Sequence, residues 1–516
     1  MGKEITSIGY QLPPLELLNE YAADGNVVPE EEIAGKIDAV RNALGNGKVQ
    51  VKDIKAVPGP AVTLYKVYPE RKVSCSKVKG LMAETALGLH WKGVRVMTLD
   101  DSIGIEIANE HRALVPIRSV LSDDAFRNSE AELPVAIGQT FGNKAVVFDL
   151  AKAPHLLIAG ATKQGKSVGI NVIITSLLYS KHPSELKFVF IDPKLVVFSV
   201  YARLVKHYLA VLPGACSEED EQDNAIVRTQ KDADRILRSL CIEMDQRYEL
   251  LSKAGVNNIR LYNEKCKSGH LNPEKGHRFM PYLVVVVDEY SDFAMSPWGC
   301  HETKTASRSI TNSIVRLAQK GRAAGLHVIL ATERPSAGAI SGVIKSNFPM
   351  RIAFRVVSRT DSETILDSPG AENLIGRGDM LLSDGIDSER IQCAFVDMDD
   401  EIEGITRYIR EQKGHGKCCN SPYYLPHVED ATSESVDMHC LDDRFEEAAK
   451  MVVTTQRGYT SDLQRNLGIG YAKARLIMDQ LEAAGIVGPQ NGSKPRQVLV
   501  PDLNTLQPIL DAFLKR

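Results

Sequence analysis

Residues 155–171 read HLLIAGATKQGKSVGIN. A short apolar run stops at Gly160, a loop ends in Gly165-Lys166-Ser167, and a helical pattern follows. Gly160-Ala161-Thr162-Lys163-Gln164-Gly165-Lys166-Ser167 fits GxxxxGK[ST], with the strand before it and the helix after it that the pattern requires. In such a loop the backbone N–H groups point inward around phosphates, and the helix contributes its positive end. Lys166 is placed to reach the β and γ oxygens of ATP, and the Ser167 hydroxyl to hold Mg²⁺. The bland alternative is a structural Gly-rich turn.

Phosphate chemistry needs a carboxylate on a neighbouring strand. YLVVVVDEY supplies Asp288 and Glu289 at a strand's C-terminal end, where open α/β sheets place their ligands. Asp288 is expected to bind Mg²⁺, directly or through water, and Glu289 to orient and deprotonate an attacking water. Cationic help often comes from an arginine of a neighbouring subunit. Arg316, Arg322, Arg334, Arg351, Arg355 and Arg359 are candidates, and spacing does not choose among them.

Outward from this pair, PHLLIAG, LKFVFID, PYLVVVVDE, GLHVILAT and RIAFRVV are short, nearly continuous apolar runs. Such runs suit strands buried on both faces of a parallel sheet. Between them, Ile310, Ile314 and Leu317 form a helical stripe with Gly325 as its stop. The class is α/β, doubly wound. Upstream, VQVKDIKAVPGPAVTLYKVYPE alternates around a PGP turn and predicts strands. The divisions expected are a leader or linker at 1–47 with one helix near EEIAGKIDAVRNALGNG, a small α+β domain at 48–130, the large α/β domain at 131–412, a linker at 413–437 and a tail domain at 438–516.

The 516 residues suffice for several domains, and 25% charged residues with 43% hydrophobic are ordinary for a globular chain. No run approaches the roughly 18 apolar residues of a membrane span, so neither membrane insertion nor a signal peptide is expected, and the location is cytoplasmic. Nine cysteines without a CxxC pair read as reduced thiols rather than zinc ligands. A net charge of −4 leaves nucleic-acid contact to local basic patches.

The tail reads as helix, turn, helix, hairpin. Thr460 or Ser461 can cap the first helix. Ala474, Ile477, Met478 and Leu481 form the core stripe of the second, and Asn491-Gly492 suits a hairpin turn. That is a winged helix, with Lys473, Arg475, Lys494 and Arg496 as DNA-binding candidates. Protein docking is the other use of this shape.

The chain resembles the FtsK/SpoIIIE family of hexameric DNA translocases, from about Val49 to the end. The resemblance rests on PHLLIAGATKQGKSVGIN, FIDPK, YLVVVVDEYSD, RLAQKGRAAGLHVILATERPS, IKSNFPMRIAFRV and DSETILD. It implies a small α domain, a RecA-like P-loop NTPase motor and a C-terminal winged-helix domain. It further implies ATP-driven movement of double-stranded DNA through a homo-hexamer, in chromosome segregation and cell division or mobile-element transfer. Recombinase or division proteins would be partners of the tail. Arg322 and Arg359 match the family's trans-acting basic residues.

Several positions depart from the family pattern. Lys163 and Gln164 replace Gly-Ser in the loop, Glu333 replaces Gln, and Glu363 replaces Arg. Ala472 and Leu476 stand where the family's sequence-reading Asn and Arg belong, so altered or weakened sequence preference is expected. The rival readings are a P-loop pump for single-stranded DNA in conjugation or for secreted protein, and a non-hydrolysing nucleotide-dependent DNA-binding scaffold.

Overall fold

The computed structural model describes residues 10–21, 28–214, 217–294, 301–412, 421–428, 444–488 and 495–514. The chain divides into two compact units, Met1–Val428 and Glu429–Arg516.

The first unit carries a four-stranded antiparallel sheet made of β1 (Val51–Pro58), β2 (Val62–Pro69), β3 (Arg95–Thr98) and β4 (Ile103–Ala108), in the order β1-β2-β4-β3. Strands at 51–69 are as expected. The helix Glu30–Asn46, which the sequence placed in a leader, packs Val40 and Leu44 into the same core as Ile54, Tyr65, Ile105 and Ile107. Its 3.6-residue period presents one apolar stripe, and this sheet is where that stripe is buried.

The ten-stranded sheet of the same unit follows. Its strands are β5 (Pro134–Gln139), β6 (Ala145–Asp149), β7 (His155–Ala159), β8 (Leu186–Ile191), β10 (Ile226–Val227), β11 (Tyr282–Val287), β12 (Leu326–Thr332), β13 (Met350–Phe354), β14 (Asp379–Ser383) and β15 (Ser388–Cys393). The short β9 (Ala210–Val211) pairs apart from it with β16 (Tyr423–Tyr424). The order is β10-β8-β11-β12-β7-β13-β14-β15-β5-β6. Pairings are parallel from β10 to β13 and antiparallel from β13 to β6. The expected parallel sheet is therefore mixed: tight turns join β14 to β15 and β5 to β6 as antiparallel hairpins, and these extend the sheet beyond β13.

The uninterrupted apolar runs have a direct cause. Leu156 and Ile158 of β7 join one core, while Leu157 and Ala159 join the other. Likewise Val284 and Val286 of β11 face one side, and Leu283, Val285 and Val287 the other. Alternate side chains leave a strand on opposite faces, so burial of both faces demands an apolar residue at every position. The helix Lys166–Leu178 covers the first face with Ile170, Ile173, Ile174 and Leu177. The helices Gln230–Ala254 and His301–Ala324 cover the second, the latter through Ile310, Ile314 and Leu317. Gly325 ends that last helix at φ +74°, as its sequence position predicts.

The second unit holds helices Phe445–Thr455, Thr460–Leu467, Tyr471–Ala483 and Leu503–Leu514. Ala474, Ile477, Met478 and Leu481 are fully buried in its core. The backbone pairs Val487 with Val498 and Gly458 with Arg496 in antiparallel bridges. Tyr459 precedes the second of these helices without a side-chain cap, so neither Thr460 nor Ser461 plays the capping role expected of it. The Asn491-Gly492 turn lies outside the described residues.

Among the described residues, no helix is long and apolar enough to cross a membrane.

Candidate active site

Parallel pairing brings the ends of β7, β11 and β12 to one edge of the large sheet. The loop 160–167 leaves β7 there. Gly160 is packed so tightly that a Cβ would stand 2.6 Å from that of Phe354. Gly165 lies at φ +121°, and a Cβ on it would meet the Gly378 backbone at 2.9 Å. Only glycine fits both constraints. Ala161 N–H donates to Arg355 O (2.9 Å), and Gly378 N–H to Gln164 O (3.0 Å), so flanking segments hold the loop by its backbone. Lys163, where the family pattern has Gly, takes φ +63° and is exposed, a left-handed conformation that costs a side-chain-bearing residue energy.

Three of the sequence candidates converge. Lys166 is buried, with Nζ 2.6 Å from Asp288 Oδ1 and 3.9 Å from Glu289 Oε2. Burial pushes the Asp288 carboxyl up against the downward pull of Lys166. Burial also works upward on Glu289, but Ser291, Lys166, Thr332 and the Glu333 N–H outweigh it and hold that carboxyl below its ordinary value. Glu289 accepts hydrogen bonds from the Ser291 hydroxyl, from Thr332 Oγ1 (2.9 Å) and from Glu333 N–H (3.1 Å to Oε2). Its own backbone is at φ +50°. An ionised, buried, conformationally strained carboxylate at a strand end has the character of a positioned base.

A cavity of about 450 Å³ opens on this edge, within the range of small-molecule sites. Ala161, Lys163, Gly165, Lys166, Ser167 and Glu333 line one end. The rest of the lining comes from segments that the sequence reading missed: Gly376–Gly378, which packs on the loop, Arg112–Val115 and Gln392–Phe395. Of these only Gly376-Arg377-Gly378 carried a signal, as a second glycine-rich turn. Cys393 is a neutral wall, since burial pushes its thiol up to about 12. Lys194 was also missed, although it stands in FIDPK; its Nζ is 3.6 Å from Glu289 Oε2. Asp192 of that motif accepts the N–H groups of Lys194, Leu195 and Val197, shaping the turn that delivers Lys194.

The departures have partners. Glu333 Oε2 accepts from Thr162 Oγ1 at 2.9 Å, tying the loop to the end of β12. Glu363 pairs with Arg359 Nε at 2.8 Å.

None of the six candidate arginines, Arg334 and Arg355 included, lines the cavity within the chain, whereas Arg112 and Arg377 do. Arg322 is exposed at the end of the helix that leads into β12, at the opposite edge of the sheet. Arg359 is exposed at the start of the helix Arg359–Leu366. Arg316 pairs with Asp245 (2.7 Å), and buried Arg351 with Asp367 (2.5 Å).

In the second unit, Lys473 is exposed. Arg496 is not the surface cation expected. It is buried, donating to Met478 O (2.8 Å) and Glu482 Oε2 (2.6 Å), and thereby fastens the returning strand to the helix Tyr471–Ala483. Lys494 lies outside the described residues, as does the Arg475 side chain.

The donor set suits a nucleotide with Mg²⁺. Among the described residues no group of three or more His, Cys, Asp or Glu side chains is arranged to hold a metal alone. Ser167 lines the cavity next to Lys166, whose Nζ is 2.6 Å from Asp288, and a hydroxyl and a carboxylate are donors that Mg²⁺ uses when phosphates and waters complete its shell.

Residues 116–337 match the FtsK/SpoIIIE family, residues 12–109 the FtsK alpha domain and residues 440–501 the FtsK gamma domain. A DNA translocase FtsK from Chlorobaculum tepidum is 40% identical over 98% of this chain and 61% of its own length. The DNA translocase SpoIIIE of Bacillus subtilis is 38% identical over 96% of this chain and 60% of its own. The chain thus spans about three-fifths of these relatives. Among solved structures, the pCW3 conjugation coupling protein TcpA, in a monomer form with ATPgS, is 22% identical with a TM-score of 0.48. It aligns over 72% of this chain and 99% of that one. With the alpha, central and gamma segments following one another along it, the chain belongs to the FtsK/SpoIIIE family.

Proposed function

We propose that this protein is an ATP-dependent double-stranded DNA translocase that works as a homo-hexameric ring in chromosome partition at cell division. The observation that carries the reading is the buried cluster in which Lys166 lies 2.6 Å from Asp288, with Glu289 beside it, under a phosphate-type loop. The relatives named DNA translocase support it.

Loop N–H groups of residues 160–167 and Lys166 take the phosphates, for which Lys166 exchanges its bond to Asp288. Ser167 and Asp288 would hold Mg²⁺, whose chemistry there would be to neutralise charge on the phosphate oxygens. Glu289, held ionised, receives the proton of the attacking water, and Thr332 and Glu333 N–H fix its orientation. Arg322 and Arg359 act on the neighbouring subunit's cavity, which fits their exposure and their absence from their own. The exposed Arg359–Glu363 pair is of a weak kind and does not bar that role.

The division we propose is a small domain at 48–130 joined by the helix Glu30–Asn46, a RecA-like motor at 131–412 and a winged-helix domain at 438–516. The last rests on the buried helix stripe and the Val487–Val498 bridge. It meets DNA through Lys473, Arg475 and Lys494, with Arg496 now assigned to the fold. Contacts to phosphates position without reading sequence.

The test is ATPase assayed with duplex DNA, single-stranded DNA or protein. Duplex should stimulate most. Stimulation by single strand or polypeptide alone would replace this reading with a different pump, and nucleotide binding without turnover would leave a scaffold.

A further inference from the structure

The small sheet meets the large one through a buried ionic group. Arg390, on β15, is 4% exposed. It donates Nε and NH2 to the two carboxylate oxygens of Asp379 on β14, at 2.9 and 2.7 Å, and NH1 to Glu106 Oε2 on β4, at 2.7 Å. Glu106 itself is fully buried. Removing such charges from water is costly, and apolar residues of like volume serve stability equally well. What an ionic group adds is directional registry between the two layers.

Its position relative to the cavity is informative. Asp379 directly follows Gly376-Arg377-Gly378, the segment that walls the cavity. The residue before that segment, Ile375, packs with Ala61 and Val62 of the small sheet, and its N–H donates to Asp379 Oδ2 at 2.8 Å. Both ends of the wall are thus fastened to the small sheet. The wall itself lies on the phosphate loop: Gly378 N–H donates to Gln164 O, and a Cβ on Gly376 would fall 2.3 Å from Gln164 Oε1. The fastening is also incomplete. Glu106 Oε1 accepts no hydrogen bond among the described residues, and Arg95 NH1 stands 3.6 Å from it. A buried charged joint with one unsatisfied oxygen has a second partner within reach, which suits an element with two arrangements.

We propose that Glu106, Arg390 and Asp379 form the joint that couples occupancy of the nucleotide cavity to the four-stranded N-terminal sheet, with Arg390 as its positioning residue. The inference rests on the cavity being a nucleotide site. Linkage is reciprocal: if nucleotide tightens the joint, loosening the joint weakens nucleotide by the same factor.

The test is hydrogen exchange on the full chain, with and without a non-hydrolysable ATP analogue and Mg²⁺. In the wild type the analogue should protect residues 160–167 and also β4, although no β4 residue lines the cavity. Glu106→Gln keeps volume and an acceptor but removes the charge. At a temperature where it is fully folded, it should bind the analogue about 5–10-fold more weakly, with the loop still protected and β4 no longer responding. A structural role alone would lower the melting temperature and leave both readouts unchanged. An unresponsive β4 in a wild type whose loop is protected overturns the joint, and that arm needs no variant. An unprotected loop in the wild type instead refutes the nucleotide reading, and the joint with it.

Discussion

The loop edge of the large sheet and the surface of the C-terminal unit were assigned charged residues by the same sequence logic, and they came out differently. At the loop edge, Lys166, Asp288 and Glu289 are buried and bonded to one another. In the C-terminal unit, the candidates include an exposed lysine, Lys473, and a buried arginine, Arg496, that holds the fold. A strand end in a parallel sheet is a fixed address, because pairing register sets which residue emerges there. A helix face or a strand of a small hairpin is not, since a neighbouring carboxylate such as Glu482 can claim the cation. Burial with mutual pairing is what supports the proposed site in the first region, while in the second Lys473 offers exposure alone.

The contrast can be broken at its strongest point first. Lys166→Ala should lower duplex-stimulated phosphate release by at least about 10²–10³-fold, as expected for losing a preorganised charge in a dry site. Retained turnover would reduce the cluster to a structural ion pair. Glu289→Gln should cost about 10²–10⁴-fold in turnover while analogue binding persists; loss of both together would make Glu289 a structural group. In the C-terminal unit, Arg496→Ala should destabilise by about 2 kcal/mol in chemical denaturation, because it takes the buried guanidinium from the Glu482 carboxylate and from Met478 O. A stable variant that loses DNA would return Arg496 to the binding surface. Glu333→Gln should tighten nucleotide binding about fivefold by removing a carboxylate from the cavity wall, read by titration of the analogue. Smallest of all, Lys473→Ala should weaken DNA binding uniformly across sequences and reduce the salt slope by about 1.

The large sheet was legible because its strands are buried on both faces, so each is written as an unbroken apolar run. Its antiparallel half was not, since β14 and β15 mix polar residues such as Ser388, Glu389 and Arg390 with the core positions Met380 and Ile391. The loop 160–167, proposed for phosphate, was legible for a similar reason: its residues are contiguous in the chain and follow a strand. The rest of the cavity lining is assembled from Arg112–Val115, Gly376–Gly378 and Gln392–Phe395, which only tertiary packing brings together. Arg496 misled because a basic residue on a returning strand has the same sequence appearance whether it faces solvent or a buried carboxylate.

In the proposed function, nucleotide cleavage at Lys166, Asp288 and Glu289 is stimulated by a double helix. Phosphate release from purified wild-type protein, measured with and without long duplex DNA, tests it most directly. The account predicts steady turnover that rises with duplex and vanishes in Lys166→Ala. No ATP consumption at any duplex concentration would contradict it.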